Sequence, residues 1–244
     1  LERLVDLVGR AVPSFHRRRG RPRALPLADA VTLVLFVLRN NATQQLAGEL
    51  WGVSQATVAR LCRTLTPVIA AVLEQATRPA RRIRRGTLVL VDGTLTPSWA
   101  WKNTSGMNSG KHRRTGHNIQ LAADLRGRLL AVGRPLPGAR HDSTAYRKSG
   151  LAGAIRTGIP VADLGYLGTD CRIPHRKPRH RPLTDAEQDA NRHHARLRSP
   201  VERAVAHLKT WKILSTPYRG PLDRFGTVLA TVAVLEIYRS RGPF

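Results

Sequence analysis

At residue 87 the hydrophobic pattern changes character, and that change dictates how the chain divides. Thr87–Val91 (TLVLV) is a continuous apolar run that closes on Asp92-Gly93. A run without alternation suits a strand covered on both faces. Before it, apolar residues keep helical spacing. Leu1, Leu4, Val5 and Val8 line one face of Leu1–Val12, and Leu27–Leu38 is a second apolar helix. Thr43–Leu50 and Ser54–Leu65 follow as helices on either side of Trp51-Gly52-Val53. Residues 1–77 therefore predict an all-α domain, and the Arg-rich stretch 78–86 a linker. Beyond residue 87, Asn118–Asp124 and Leu129–Arg134 read as strands around a hairpin at Arg126-Gly127. His141–Ile155 reads as a helix, Pro160–Asp163 as a short strand, and Thr184–Arg198 as a polar helix. Val201–Ile213 and Asp223–Arg239 read as two more helices. This succession predicts an α/β domain with a mixed sheet over 87–244.

Charge narrows the partners. Lys and Arg number 41 against 16 Asp and Glu, a formal net charge of +25. Such an excess argues against a small-metabolite enzyme and for a polyanion, nucleic acid first of all. No uninterrupted apolar run approaches about 18 residues, so no membrane span is expected. Cys62 and Cys171 sit in no zinc or disulfide spacing, which fits a reducing cytoplasm. Two arginine clusters, His16–Arg23 and Arg78–Arg85, bracket the helical region. Phosphate contact suits them, as does the solvated face that charge runs commonly form.

Gln44–Leu61 has the spacing of a helix-turn-helix. Ala47, Trp51, Val53, Val58 and Leu61 form its apolar positions. Gly48 lies where the two helices cross, and Gly52 lies where the turn calls for positive φ. Ser54 caps the second helix, which would expose Gln55, Ala56, Ala59, Arg60 and Arg63 for bases and phosphates. An ordinary pair of antiparallel helices has the same spacing.

In so basic a chain, carboxylates at element ends stand out. Asp92 closes the most apolar strand, Asp163 closes the short strand, and Glu202 opens a helix. If the strands are neighbours and the helix crosses their edge, the three converge. Three carboxylates can hold two divalent cations for phosphodiester chemistry, and hard oxygen donors select Mg²⁺ or Mn²⁺. Each also has a structural reading: a turn at Asp92-Gly93, a turn cap at Asp163, and a capping box over Ser199-Pro200-Val201-Glu202. Asp142 is a fourth candidate and reads more simply as an N-cap. Trp99 and Trp101 flank a basic loop and suit core packing or base stacking. His175, His180, His193 and His194 read as surface residues.

These segments carry a resemblance. LVDGT (Leu90–Thr94), SGKHR (Ser109–Arg113), PGARHD (Pro137–Asp142), ADLGYLG (Ala162–Gly168) and RSPVERAVAHLK (Arg198–Lys209) resemble bacterial insertion-sequence transposases of the IS5 type. That group lies in the DDE superfamily and is related to Harbinger-type elements. Arg198, Glu202 and Lys209 keep the spacing of its carboxy-terminal motif. Ala195 stands where the family has Tyr, and Leu164 where it often has Lys. The resemblance implies an RNase H-like catalytic domain with Asp92, Asp163 and Glu202 as catalytic, metal-holding triad, and two Mg²⁺ or Mn²⁺ ions. It implies DNA contacts from Ser54, Gln55, Arg60, Arg63, Lys111, Arg113, Arg114, Arg198 and Lys209. The implied partner is double-stranded DNA, as terminal inverted repeats and target, bound by a homodimer or higher assembly. The implied setting is the bacterial cytoplasm, at the nucleoid. A decayed transposase and a helix-turn-helix regulator without nuclease activity are the alternatives.

Overall fold

A computed structural model describes residues 1–13, 15, 23–99 and 105–241. Most of the His16–Arg23 cluster and Trp101 lie outside the described residues. The chain divides into two compact units, Leu1–Arg78 with Lys209–Phe244, and Pro79–Leu208.

The amino-terminal part is helical: α1 (Glu2–Ala11), α2 (Leu27–Asn40), α3 (Gln44–Trp51) and α4 (Gln55–Thr77). Thr43 caps α3 by accepting from the Leu46 amide, and Ser54 caps α4 by accepting from the Thr57 amide. The α4 helix runs twelve residues beyond the expected Leu65, because its apolar stripe continues through Val58, Leu61, Leu65, Ile69 and Leu73, all buried. Among the described residues α4 alone is long and apolar enough, by length and composition, to cross a membrane. Interrupted apolar periodicity of this kind escapes a search for unbroken runs.

The second unit is built on a mixed sheet. Its strands are β1 (Leu88–Pro97), β2 (Asn108–Ser109), β3 (Arg114–Ala123), β4 (Leu129–Val132), β5 (Leu136–Pro137) and β6 (Ile159–Val161). The order is β2-β3-β1-β6, with β4 and β5 also on β3. β1 pairs antiparallel with β3 and parallel with β6. A parallel partner needs a crossover, supplied by α5 (Asp142–Lys148) and α6 (Leu151–Ala154). The two helices cover the sheet face carrying Val89, Val91 and Ala122, packing Tyr146 and Leu151 there, and Tyr166 from the turn after β6 joins them. The predicted single helix His141–Ile155 is thus two, divided at Gly150, whose φ of 83° no ordinary side chain favours. This is the RNase H-like mixed α/β fold that the resemblance implied.

Two boundaries at the carboxylates differ from expectation. β1 does not stop at Asp92; it pairs with β3 as far as Pro97, so Asp92 lies mid-strand. The predicted short strand stops at Val161, leaving Asp163 just beyond it as the N-cap of a 3-10 turn.

Past β6 come α7 (Asp185–Arg198) and α8 (Pro200–Lys209), then α9 (Lys212–Ser215) and α10 (Phe225–Arg241). The span expected for the catalytic domain, 87–244, runs across both units. Residues 209–244 belong with the helical unit. α10 buries nine residues, among them Leu229, Val232 and Ile237, and its Thr231 hydroxyl donates to the Thr66 carbonyl of α4. Its buried Glu236 is satisfied by the Trp211 indole (3.2 Å) and by Arg239.

Candidate active site

The sheet unit gathers carboxylates where β1 runs on past the end of β6. Asp92 is half-buried on β1 and takes the Gly93 amide at 2.9 Å. Asp163 follows β6, and its Oδ1 takes the Gly165 amide at 2.9 Å. One guanidinium serves both: Arg198 Nη1 lies 3.6 Å from Asp92 Oδ1, and Nη2 lies 4.0 Å from Asp163 Oδ2. The two carboxylates thus share one cation, Asp92 from the middle of β1 and Asp163 from the turn that follows β6.

The electrostatics follow. Burial pushes the Asp92 carboxyl above its ordinary value; Arg198 and the Gly93 amide pull it back, and Asp163 and Asp142 push it up again. Desolvation with unrelieved like charge marks a place that demands positive charge. Arg198 supplies part of it. The sequence assigns this arginine to DNA; in the structure it turns inward to the carboxylates.

The α7 helix brings Arg198 there. Among the described residues α7 is unusual in burying none of its own. A capping box starts it: the Glu187 amide donates to Thr184 Oγ1, and the Thr184 amide to Glu187 Oε2. Asn191 exchanges two hydrogen bonds with the His175 backbone, at 2.7 and 3.0 Å. His194 Nε2 bonds the Ala162 carbonyl at 2.8 Å, one residue before Asp163. His194, expected on the surface, is thus the peg that seats α7 on β6. Arg198 follows one turn later on the same face.

Glu202 stands differently. It is exposed in the first turn of α8. The capping box expected at Ser199 does not form. Ser199 is helical, and its hydroxyl donates to the Arg196 carbonyl, which Pro200, having no amide hydrogen, cannot serve. Glu202 is therefore not consumed as a cap. The turn at Gly127 (φ 72°) seats against the start of α8: a Cβ there would lie 2.4 Å from the Pro200 carbonyl oxygen. The Arg203 guanidinium donates to the Arg126 carbonyl at 3.1 Å. Among the described residues no three His, Cys, Asp or Glu side chains close around a single ion position in this conformation. The donor chemistry still suits a hard divalent cation: carboxylate oxygens, partly desolvated, balanced by a guanidinium.

The remaining expected DNA contacts fall in two places. Lys111, Arg113 and Arg114 are exposed around β2 and the start of β3, with Lys111 Nζ 3.5 Å from Asp142 Oδ2. Gln55, Arg60 and Arg63 are exposed on α4. Ser54 is occupied as the cap of α4, its hydroxyl 3.0 Å from that of Thr57. Gly48 is where the helices cross, since a Cβ would lie 2.5 Å from the Val53 carbonyl oxygen, and Gly52 turns at φ 64°. Lys209 ends α8 and falls in the helical unit. Sequence reasoning passed over Arg219 and Arg224. They line, with Gln55, Arg60 and Arg63, a groove of about 900 Å³ in the helical unit. No motif signals them.

With this geometry in place, comparison with known proteins identifies the class. Residues 91–236 match the DDE superfamily endonuclease family, and residues 23–75 match the helix-turn-helix of DDE superfamily endonucleases. The chain belongs to the DDE superfamily endonucleases. It is 38% identical over 199 residues to a protein described as a transposase for insertion sequence element IS112 of Streptomyces albus G, covering 81% of this chain and 74% of that one. A transposase described for element IS702 of Microchaete diplosiphon is 26% identical, over 91% and 84% of the two chains. The nuclease HARBI1 of Rattus norvegicus is 25% identical over 84% of this chain and 63% of its own. Among solved structures, a piggyBac transposase synaptic complex with hairpin DNA aligns over 97% of this chain and 71% of that one, at 11% identity and a TM-score of 0.41. By that membership the protein is a DNA-binding endonuclease whose chemistry depends on divalent metal.

Proposed function

We propose that the protein is the transposase of a bacterial insertion sequence. It nicks the ends of its element and joins them to target DNA in the cytoplasm, with Asp92, Asp163 and Glu202 as its catalytic carboxylates. The observation that carries this reading is the approach of Asp92 and Asp163 to one guanidinium beside the end of β6. Asp92, Asp163 and Glu202 would hold two Mg²⁺ or Mn²⁺ ions, which supply Lewis-acid charge and an activated oxygen nucleophile at the phosphodiester. In the first reaction water attacks phosphorus in line, the P–O3′ bond breaks, and a free 3′-OH and a 5′-phosphate result. In the second, that 3′-OH attacks a target phosphodiester and displaces its 3′ oxygen.

The chain's own residues do the rest. Gln55, Arg60 and Arg63 present base- and phosphate-binding groups from α4, and the helix-turn-helix holds the terminal repeat. Lys111, Arg113 and Arg114 give the scissile strand cationic contacts beside the carboxylates. Two element ends must be held together, which a dimer on DNA would do.

The deciding experiment is Mg²⁺-dependent nicking of a duplex carrying the element's terminal repeats. Asp92→Asn, Asp163→Asn and Glu202→Gln should each reduce nicking to background while duplex binding stays within about twofold of the parent. Loss of binding in step with loss of nicking sinks the assignment. Binding without any nicking by the parent chain indicates a relic or a regulator.

A further inference from the structure

Asp142 begins α5 but does not serve that helix. His141 occupies the N-cap position, and α5 has no side-chain cap. The Asp142 carboxylate turns instead toward the sheet. Its Oδ1 accepts from Asn118 Nδ2 (3.0 Å) and Gln120 Nε2 (3.2 Å), both on β3. Gln120 is fully buried and is itself fixed, donating to Asn118 Oδ1 (2.8 Å) and accepting from the Tyr166 hydroxyl (2.5 Å). A buried polar relay of this kind is costly unless every member is satisfied. Here it leads to a single carboxylate oxygen.

The other oxygen, Oδ2, points to the cluster. A Cβ at Gly165 would lie 2.9 Å from Asp163 Oδ1 and 3.6 Å from Asp142 Oδ2, so the two carboxylates flank that one glycine. A Cβ at Gly93, next to Asp92, would collide with Asp142 Oδ1 (2.5 Å) and Gln120 Nε2 (2.6 Å). The glycines of LVDGT and ADLGY and the tyrosine of ADLGY thus have a common task, which is to house Asp142. Beside it opens a pocket of about 260 Å³, lined by Lys111, His112, Arg140 and His141 as well as Gly93 and Asn118. That lining is complementary to a phosphodiester.

We propose that Asp142 is a fourth carboxylate of the reaction, joining Asp163 in holding divalent cation at the edge of the phosphate pocket. The proposal rests on the reading of Asp92 and Asp163 given above. The relay fixes Oδ1, and fixing one oxygen leaves the second pre-oriented for an ion. Lys111 occupies the charge-compensating position at Oδ2, as Arg198 does between Asp92 and Asp163.

The test is Mn²⁺ binding by the full chain without DNA, read from the electron paramagnetic resonance signal of free Mn²⁺. Asp142→Asn, and Asp142→Ser as a second neutral variant, should weaken binding by about tenfold or more with the melting temperature held or raised. Tyr166→Phe should weaken it a few-fold, because it cuts the relay and leaves the carboxylate. Parental Mn²⁺ affinity in both Asp142 variants, with affinity lost in Asp92→Asn, overturns the role of Asp142 and spares the wider reading. Parental affinity in Asp92→Asn and Asp163→Asn overturns both.

Discussion

Helices α4 and α7 each present candidate functional side chains, and they are held by opposite means. α4 carries Gln55, Arg60 and Arg63 on a helix whose other face buries Val58, Leu61, Leu65, Ile69 and Leu73. α7 carries Arg198 and buries nothing; a capping box, two bonds from Asn191 and one from His194 keep it in place. Burial is strong and indifferent to angle, whereas hydrogen bonds are weak and directional. Helix α4 is thus part of a core and moves only with it. The arginine helix is aimed accurately at little energetic depth, so it is the segment most easily displaced when metal competes with Arg198 for the carboxylates or phosphate competes with the carboxylates for Arg198.

The sharpest way to break this contrast is truncation. Ile69→Ala on α4 should cost about 2–5 kcal/mol by urea unfolding, through lost burial and a residual cavity. Leu197→Ala on α7, already 36% exposed, should stay within about 0.5 kcal/mol. Comparable costs at the two sites would show that α7 has an apolar seat after all. His194→Ala should cost only about 1 kcal/mol, since it removes one hydrogen bond. Cleavage should nevertheless fall roughly tenfold to a hundredfold, because Arg198 loses its aim. Parallel loss of stability and cleavage would reduce His194 to a fold residue.

The smallest effect is a pH dependence at the start of α7. Hydrogen bonds from Arg181, then from the Thr184 amide, pull the Glu187 carboxyl down to about 2. Folding lowers this pKa, so the contribution is complete above the ordinary value of 4.5 and fades as pH falls toward 2. Amide exchange at 185–190 should accelerate across that window beyond its intrinsic pH trend, while α4 stays protected. Equal behaviour of the two helices would erase the distinction.

What the sequence made legible follows the same divide. Burial writes a periodic pattern, so the helices of the first unit, the strands β1, β3 and β4, and the helix-turn-helix glycines were all readable from spacing. Asp92 and Asp163 stood out as candidates because a +25 chain carries only 16 acidic residues. Polar wiring writes no such pattern. Nothing in Asn118, Gln120 and Tyr166 announces that they meet at Asp142, and nothing in His194 announces the Ala162 carbonyl. The capping box at Ser199 was misread because its sequence signature is genuine, yet Ser199 keeps helical dihedrals as the C-cap of α7 and its hydroxyl serves Arg196 instead. The membership of 209–244 in the helical unit was hidden for a third reason. The apolar surface of α10 says that it is buried, not against what.

A helix seated by three polar side chains leaves its remaining positions almost unconstrained. Relatives of this protein should let most of Asp185–Arg198 drift while holding Asn191, His194 and Arg198, an intermittent signature with steps of three and four. Such a segment scores poorly in any measure that averages over a window, so the stretch that aims the arginine is the one most easily mistaken for an expendable insert.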